Sequence, residues 1–210
     1  LLADSLQLDP TENRLMRIVR READRLNQLV SDFLRYARPN PAHFENVSIS
    51  NLLDELVLIF GYLHHGTEQP TAKYNYSVNI EKSEALEVEG DAKQLRQVFW
   101  NLLNNAAQSM VDGGEVIVDG QIKHDLVSVT VTDHGDGIDA DDLQRIFDPF
   151  YTTKDTGTGL GLALVQRVVE DHNGRILVDS KPDSGAISLG IFGIFGENVG
   201  DIFGRFLAHF

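Results

Sequence analysis

The segment Arg38-Pro39-Asn40-Pro41 divides this chain into two parts with different patterns. Each proline disfavours helical geometry in the residue before it, so no regular helix continues through the segment. Before it, across residues 11–37, apolar side chains recur at steps of three and four, which predicts a long amphipathic helix. The turn Asp9-Pro10-Thr11 is expected to precede that helix, since the first helical position tolerates proline. The apolar stripe consists of Leu15, Ile18, Val19, Leu26, Leu29, Val30, Phe33, Leu34 and Ala37.

A single helix cannot bury such a stripe by itself. Together with a short helical stub over residues 1–8, this amphipathic helix is predicted to form half of an antiparallel hairpin that dimerises into a four-helix bundle. Packing of the helix on its own domain is the alternative. We therefore expect a partial helical hairpin at residues 1–38, a linker at 39–46, a compact domain at 47–195 and a tail at 196–210.

Beyond the prolines, periods of two and of about 3.6 residues alternate along the chain. Strands are predicted at residues 46–49, 73–80, 84–89, 115–123, 126–132 and 175–180, and helices at 50–63, 91–110 and 159–172. Residues 184–192 alternate as a final strand would and run on into an apolar-periodic tail. One layer of helices on one layer of strands predicts an α+β fold, a two-layer α/β sandwich.

The composition excludes several classes of function. Lys and Arg number 18 against 32 Asp and Glu, a formal net charge of −14, which argues against a nucleic-acid partner. An anionic ligand would have to be held locally. Without cysteine, the chain has no disulfide, thiolate zinc site or cysteine nucleophile. No apolar run approaches the ~20 residues that span a bilayer, and the acidic balance argues against an anionic membrane surface, so no membrane contact by this chain is expected.

The densest motif is Gly157-Thr158-Gly159-Leu160-Gly161, which opens a predicted helix. Alternating glycines let the backbone approach a ligand, and the helix start offers N–H groups to phosphate. The motif has neither the Walker pattern nor the dinucleotide-binding spacing. A flexible turn before a helix is the alternative.

Two further motifs carry polar groups that suit a nucleotide. Asp133-His134-Gly135-Asp136-Gly137 follows a predicted strand, and a carboxylate there can accept a hydrogen bond from an exocyclic amine such as that of adenine. Asn101 and Asn105 lie four residues apart on one helical face and could coordinate a hard cation through oxygen. An ordinary acidic turn and a pair of surface amides are the alternatives.

Residues 146–154 place aromatic side chains in an otherwise polar loop, ending at Lys154. The aromatic residues are expected to tuck into the core while the rest of the loop moves. A mobile lysine beside a phosphate site can neutralise charge during phosphoryl transfer.

In order and approximate spacing, these motifs resemble the four boxes of sensor histidine kinases, a family of the GHKL group of ATP-binding folds. The boxes are Asn101-x-x-x-Asn105-Ala106, Asp133-x-Gly135-x-Gly137, Phe147-Asp148-Pro149-Phe150 and Gly157-Thr158-Gly159-Leu160-Gly161. Residues 22–39 resemble the second helix of that family's dimerisation and phosphotransfer hairpin. The short loop between Lys154 and Gly157 resembles the NtrB/PilS-like subgroup. The resemblance covers residues 1–180.

The resemblance implies the ATP-binding catalytic region of a two-component sensor histidine kinase, with ATP and Mg²⁺ as cofactors. Asp133 would bind the adenine amino group, Asn105 would coordinate Mg²⁺ and Asn101 would support the phosphates. The cofactor site would also include Gly135, Gly137, Lys154, Gly157, Thr158, Gly159, Leu160 and Gly161. The γ-phosphoryl of ATP would pass to a histidine nitrogen and then to an aspartate of a response regulator.

Gln97 and Lys154 are the predicted catalytic residues. Gln97 stands where many relatives have a glutamate, and its amide can orient the accepting imidazole but cannot take its proton. GHKL ATPases such as gyrase B and MutL, which carry a general-base glutamate there, are the alternative family. A scaffold that binds nucleotide without turnover is the other alternative.

None of the seven histidines has the usual phosphoacceptor context of His, acid, base, Asn and Pro. The acceptor is therefore expected outside this chain, which alone would not phosphorylate itself. We further expect a homodimer through the N-terminal helices and a response-regulator receiver domain as partner. A cytoplasmic location is expected, in a parent protein that a membrane anchor could hold.

Overall fold

A computed structural model of the chain describes residues 9–37, 41–64, 76–82, 85–110, 112–123, 126–154, 157–181 and 186–193. The predicted stub at 1–8 and the predicted tail at 196–210 lie outside these ranges. The helices are α1 Pro10–Ala37, α2 Ile49–His64, α3 Ala92–Ser109, α4 Ala140–Leu143 and α5 Gly161–Asp171. The strands are β1 Glu45–Ser48, β2 Tyr76–Lys82, β3 Glu87–Gly90, β4 Gly114–Lys123, β5 Leu126–Thr132, β6 Arg175–Ser180 and β7 Ala186–Gly193.

These elements confirm the predicted sequence of helices and strands, with shifted ends. The strands predicted at residues 115–123 and 126–132 correspond to β4 and β5, which pair antiparallel with Lys123 opposite Leu126. Residues 133–158, for which no helix or strand is predicted, contain the single helical turn α4. That turn is closed locally, because the Leu143 N–H donates to the Asp139 carbonyl at 2.9 Å.

Five strands form one sheet in the order β2-β4-β5-β7-β6, and β1 pairs with β3 in a separate two-stranded sheet. Strands β2 and β4 run parallel, and the other neighbours in the larger sheet run antiparallel. The core joins buried side chains of α2, α3 and α5 to those of β4 and β5. The fold is therefore an α+β two-layer sandwich, as the sequence predicts.

Helix α3 is the central helix of this layer. Its inward face buries Leu95, Val98, Phe99, Leu102, Leu103, Ala106 and Ala107. Asp91 caps its start, accepting hydrogen bonds from the N–H groups of Lys93 and Gln94 at 2.9 and 3.0 Å. The same carboxylate accepts the His43 N–H at 2.9 Å. Burial alone would raise the pKa of Asp91, but these backbone hydrogen bonds outweigh it and lower the pKa.

Helix α1 begins in a reciprocal cap. Asp9 Oδ1 accepts the Glu12 N–H at 2.8 Å, and Glu12 Oε2 accepts the Asp9 N–H at 2.9 Å. The turn predicted to precede the helix at Asp9-Pro10-Thr11 is instead the start of the helix itself, because Asp9 caps α1 and Pro10 and Thr11 are its first two residues. The apolar stripe of α1 stays largely exposed in the single chain, with Val19 and Leu26 each 62% exposed. Among the described residues, no helix combines the length and hydropathy needed to cross a bilayer.

Two leucines give a matched test of this packing. Leu103 of α3 is fully buried, whereas Leu58 of α2 is 76% exposed. Replacing Leu103 by alanine should lower the free energy of unfolding by about 2–5 kcal/mol, because it leaves a cavity in the core. Leu58→Ala should change it by less than ~0.5 kcal/mol. Urea unfolding followed by circular dichroism measures both, and equal losses would contradict the packing described.

Candidate functional site

Asp133 follows β5 directly and its side chain is buried, only 6% exposed. Its Oδ1 accepts the Gly135 N–H at 2.9 Å and lies 2.9 Å from the Ser109 hydroxyl, which can donate to it. A side chain at Gly135 would collide with Ser109, since its Cβ would lie 2.2 Å from Ser109 Oγ. The carboxylate is therefore held in one orientation against the end of α3.

Ser109 contacts Asp133 in this candidate site, and the sequence analysis did not identify it. It lies four residues after Asn105, so helical periodicity places both on one face of α3. That spacing is the signal that could have found it. Beyond Gly135, the turn continues to Gly137, whose φ of 73° favours glycine. The Ile138 N–H then donates to Ser180 Oγ at 2.9 Å, which joins the turn to β6.

The polar side chains of α3 form a ladder along its partly exposed face. Gln97 Nε2 donates to Asn101 Oδ1 at 2.8 Å. Asn101 Nδ2 in turn donates to the Gly161 carbonyl at 3.3 Å. Asn101 thereby connects α3 to the first residue of α5.

Lys154 reaches across to the next amides of the same helix. Its ammonium Nζ donates to Gln108 Oε1 at 3.0 Å and lies 3.5 Å from Asn105 Oδ1. Burial lowers the pKa of Lys154, and the negative charge of Asp133 partly offsets this by favouring the ammonium form. One half-buried cation thus lies close to Asn105 and to Asp133. Gln108, its nearest partner here, is absent from the sequence prediction.

The glycines of the Gly157–Gly161 motif serve different purposes. A Cβ at Gly157 would lie 2.4 Å from Thr152 Oγ1, and one at Gly159 would lie 2.4 Å from the Phe150 carbonyl carbon. Gly159 also has a φ of 68°. Only at Gly161, of these three, would a Cβ meet nothing within 4 Å. Two of the three glycines that are expected to let the backbone approach a ligand therefore also allow close internal contacts.

Helix α5 begins at Gly161 instead of the predicted residue 159, because Gly159 has a left-handed conformation that a right-handed helix does not include. Leu160 occupies the cap position with its side chain buried, 1% exposed. Its N–H donates to the Thr158 hydroxyl oxygen at 3.4 Å. Thr158 and Leu160 thus shape the turn from within.

The expected burial of the loop aromatics is wrong for Phe150, which is 58% exposed. Phe150 has a φ of 69°, and its N–H donates to the Gly159 carbonyl at 2.9 Å. Its backbone, not its ring, therefore attaches the loop to the glycine motif. Tyr151 makes a side-chain hydrogen bond to Asp142, which raises the pKa of Tyr151.

The end of α1 also contacts this region, which the sequence did not reveal. Arg35 Nη1 donates to Gln97 Oε1 at 3.0 Å. The Thr158 hydroxyl donates to Asp32 Oδ2 at 3.2 Å. Arg167 of α5 donates to the Tyr36 carbonyl at 2.6 Å.

These contacts bring the predicted site residues together around α3. Asp133 is held at the end of α3, Lys154 lies close to Asn105, and Asn101 is hydrogen-bonded to the first residue of α5.

A groove of about 450 Å³ lies elsewhere, and none of its lining residues was predicted as a site residue. Those residues are Gln166, Glu170, Asn173, Gly174, Arg175 and Ile176. Within the described ranges, no group of three His, Asp or Glu side chains could hold a metal ion.

Comparison with known proteins assigns the family. Residues 90–190 match the family described as histidine kinase-, DNA gyrase B- and HSP90-like ATPase. The chain is 33% identical over 179 residues to the signal transduction histidine-protein kinase AtoS of Escherichia coli K12, covering 85% of this chain and 28% of AtoS. It is 38% identical over 170 residues to sporulation kinase A of Bacillus subtilis 168, covering 80% of this chain and 27% of that kinase.

A solved structure shows the same architecture. The crystal structure of histidine kinase ThkA in complex with response regulator protein TrrA has a TM-score of 0.71 and 26% identity, covering 89% of this chain and 52% of that one. Of the two relatives named above, AtoS and sporulation kinase A, the chain spans less than a third of the length. Residues 90–190 belong to the histidine kinase-, DNA gyrase B- and HSP90-like ATPase family, and the chain contains the ATP-binding region of a sensor histidine kinase.

Proposed function

We propose that the chain binds ATP on the polar face of α3 and catalyses transfer of its γ-phosphoryl group to a histidine. One observation carries this proposal. Asp133 is a buried carboxylate held against α3. The ammonium group of Lys154 lies near it, within hydrogen-bond distance of the amide oxygens of Asn105 and Gln108. An acceptor for an exocyclic amine and a cation for phosphate therefore occur in one region of an otherwise acidic chain.

Each element would have a separate role. Asp133 accepts a hydrogen bond from the adenine amino group, and Gly135 and Gly137 shape the turn beside the ring. The phosphates lie toward the start of α5, where Gly161 leaves open space and where the turn from Gly157 to Leu160 sets the backbone. Lys154 leaves its amide partners to neutralise phosphate charge.

The polar face of α3 suits a magnesium ion held jointly with phosphates. Asn105 Oδ1 and Gln108 Oε1 already accept a cation, the ammonium of Lys154, and amide oxygens are hard ligands of the kind that Mg²⁺ uses. Asn105 would hold the ion, together with phosphate oxygens and water. The bound ion would neutralise charge on the transferred phosphoryl group.

In the proposed reaction a nitrogen of the accepting imidazole attacks the γ-phosphorus as the bond to the β-phosphate oxygen breaks. ADP leaves with the electron pair of the broken bond, and the imidazole N–H proton passes to water. The Gln97 amide can orient the imidazole through hydrogen bonds. Its role is limited to orientation, because an amide cannot act as a base at neutral pH. Most of the catalysis would come from positioning and charge neutralisation.

We infer two partners for the complete protein. The exposed apolar stripe of α1 would be covered by a second copy of the chain, forming a homodimer through these helices. A response-regulator receiver domain would then take the phosphoryl group onto an aspartate. The likeness to ThkA, which was solved with the response regulator TrrA, supports this second partner. The NtrB/PilS-like subgroup also stays a prediction.

Two neighbouring aspartates test the nucleotide site. Asp133→Asn places an amide N–H₂ where an acceptor is needed, so calorimetry should show ATP affinity falling by about thirtyfold or more. Asp136→Asn, an exposed change in the same turn, should leave the affinity within about twofold. No heat of binding from well-folded native protein would contradict nucleotide binding altogether.

A transfer assay tests the reaction. With labelled ATP, the chain should phosphorylate a supplied histidine-kinase hairpin that carries the acceptor histidine, and the same hairpin with that histidine changed to alanine should stay unlabelled. Because Gln97 cannot accept a proton, hydrolysis of ATP by the chain alone should be slow. Rapid steady hydrolysis without label on the hairpin would instead favour a gyrase B- or MutL-like ATPase, and binding without either reaction would favour a scaffold.

Lys154 should respond to pH and to nucleotide. Burial lowers its pKa in the folded state, so the unfolded chain binds more protons between that pKa and the ordinary lysine pKa, and stability should rise with pH across this window. Nearby phosphates should raise the pKa again. Isotope-edited NMR, with the signal assigned by its loss in Lys154→Arg, should show a low midpoint that moves upward with ATP. A midpoint unmoved by bound ATP would place Lys154 away from the phosphates.

A further inference from the structure

The last turns of α1 make three hydrogen bonds to segments that surround the proposed nucleotide site. Asp32 accepts a hydrogen bond from Thr158, Arg35 donates to Gln97, and the Tyr36 carbonyl accepts one from Arg167. The partners lie on three segments that the chain brings together only on folding: the glycine motif, α3 and α5. Helix α1 is therefore docked against the nucleotide site and not merely attached before it.

The contact at Thr158 involves the glycine motif itself. Its hydroxyl donates to Asp32 Oδ2 at 3.2 Å and accepts the Leu160 N–H at 3.4 Å. The Leu160 N–H is thus hydrogen-bonded within the turn, and the Thr158 oxygen that accepts this bond is itself hydrogen-bonded to the Asp32 carboxylate. The Thr158 hydroxyl therefore connects the backbone of the motif to α1.

The charge of Asp32 acts on the same place. The Asp32 carboxylate lies within hydrogen-bond distance of Thr158 and so beside the turn that we assign to the phosphates. Like charges repel each other, and they do so more strongly in a partly buried place than in bulk water. The hydrogen bonds of Arg35 and Arg167 hold the helix end where Asp32 faces Thr158. A docked α1 and a bound polyphosphate therefore oppose each other.

We propose that Asp32 is an internal brake on polyphosphate binding: ATP binds fully only as the contact between Asp32 and Thr158 loosens. This rests on the proposed nucleotide site. Because coupling between two events is reciprocal, ATP weakens the docking of α1 by the same factor by which docking weakens ATP binding. The position of the helix that carries the predicted dimer contacts would thus be linked to the state of the nucleotide.

Neutralising the carboxylate tests the brake. Asp32→Asn keeps the size of the side chain and removes its charge, so the affinity for ATP should rise about three- to tenfold. The increase should be smaller for ADP and absent for adenosine, since repulsion scales with phosphate charge. Asp24→Asn is the matched control, an exposed change about 12 Å further back along the same helix, and should alter none of the three affinities.

Calorimetry on the full chain measures these affinities, and circular dichroism checks that both variants are folded. The gain for Asp32→Asn should shrink as salt is added, because screening weakens a repulsion between charges. A second variant, Asp32→Ala, should show the same order of ligands, which excludes an effect of the asparagine amide. Equal gains for ATP and adenosine, or no gain, would overturn the brake while native ATP binding still supports the proposed site. Absence of ATP binding to the native protein would overturn both.

Discussion

The division of α3 into two faces is the constraint on which the rest of the structure depends. One face buries seven apolar side chains against the sheet and the neighbouring helices. That burial fixes the rotation of the helix, and the rotation decides which way the amides of Gln97, Asn101 and Asn105 are presented. A helix free to turn about its axis could not hold these amides beside Lys154 and the start of α5. Core packing and site geometry are thus consequences of the same residues.

The electrostatic problem of the site is set by composition. A chain with a formal net charge of −14 repels polyphosphates at long range, so an anion can bind only where local groups reverse that field. Lys154 supplies one cation, kept half-buried on the amides of α3, and the open space at Gly161 leaves room beside the start of α5. Asp32 works against them from α1. The balance therefore depends on where two segments lie that are distant in sequence.

The spacing of residues was sufficient to propose much of the candidate site, because helical faces and strand ends are local features of the sequence. Helical periodicity was sufficient to put Asn101 and Asn105 on one face, and a carboxylate at a strand end followed by glycines marked the turn at Asp133. Local patterns were less informative about why each glycine is present. Gly157 and Gly159 look the same as Gly161 in sequence, yet a Cβ at either would collide with internal neighbours, whereas a Cβ at Gly161 would meet none. Likewise, the exposed Phe150 contacts the glycine motif through its backbone. What surrounds a backbone atom is not a property of its own segment.

The sequence by itself determined the order of helices and strands, the amphipathic faces and the set of polar residues available for chemistry, because these follow from periodicity and local backbone preference. Tertiary structure alone decided the partners: Ser109 on Asp133, Gln108 under Lys154, and Asp32 on Thr158. Asp32 and Thr158 are 126 residues apart in the chain. Their contact arises only when separate elements pack, since side-chain hydrogen bonds depend on distances that no short window of residues contains.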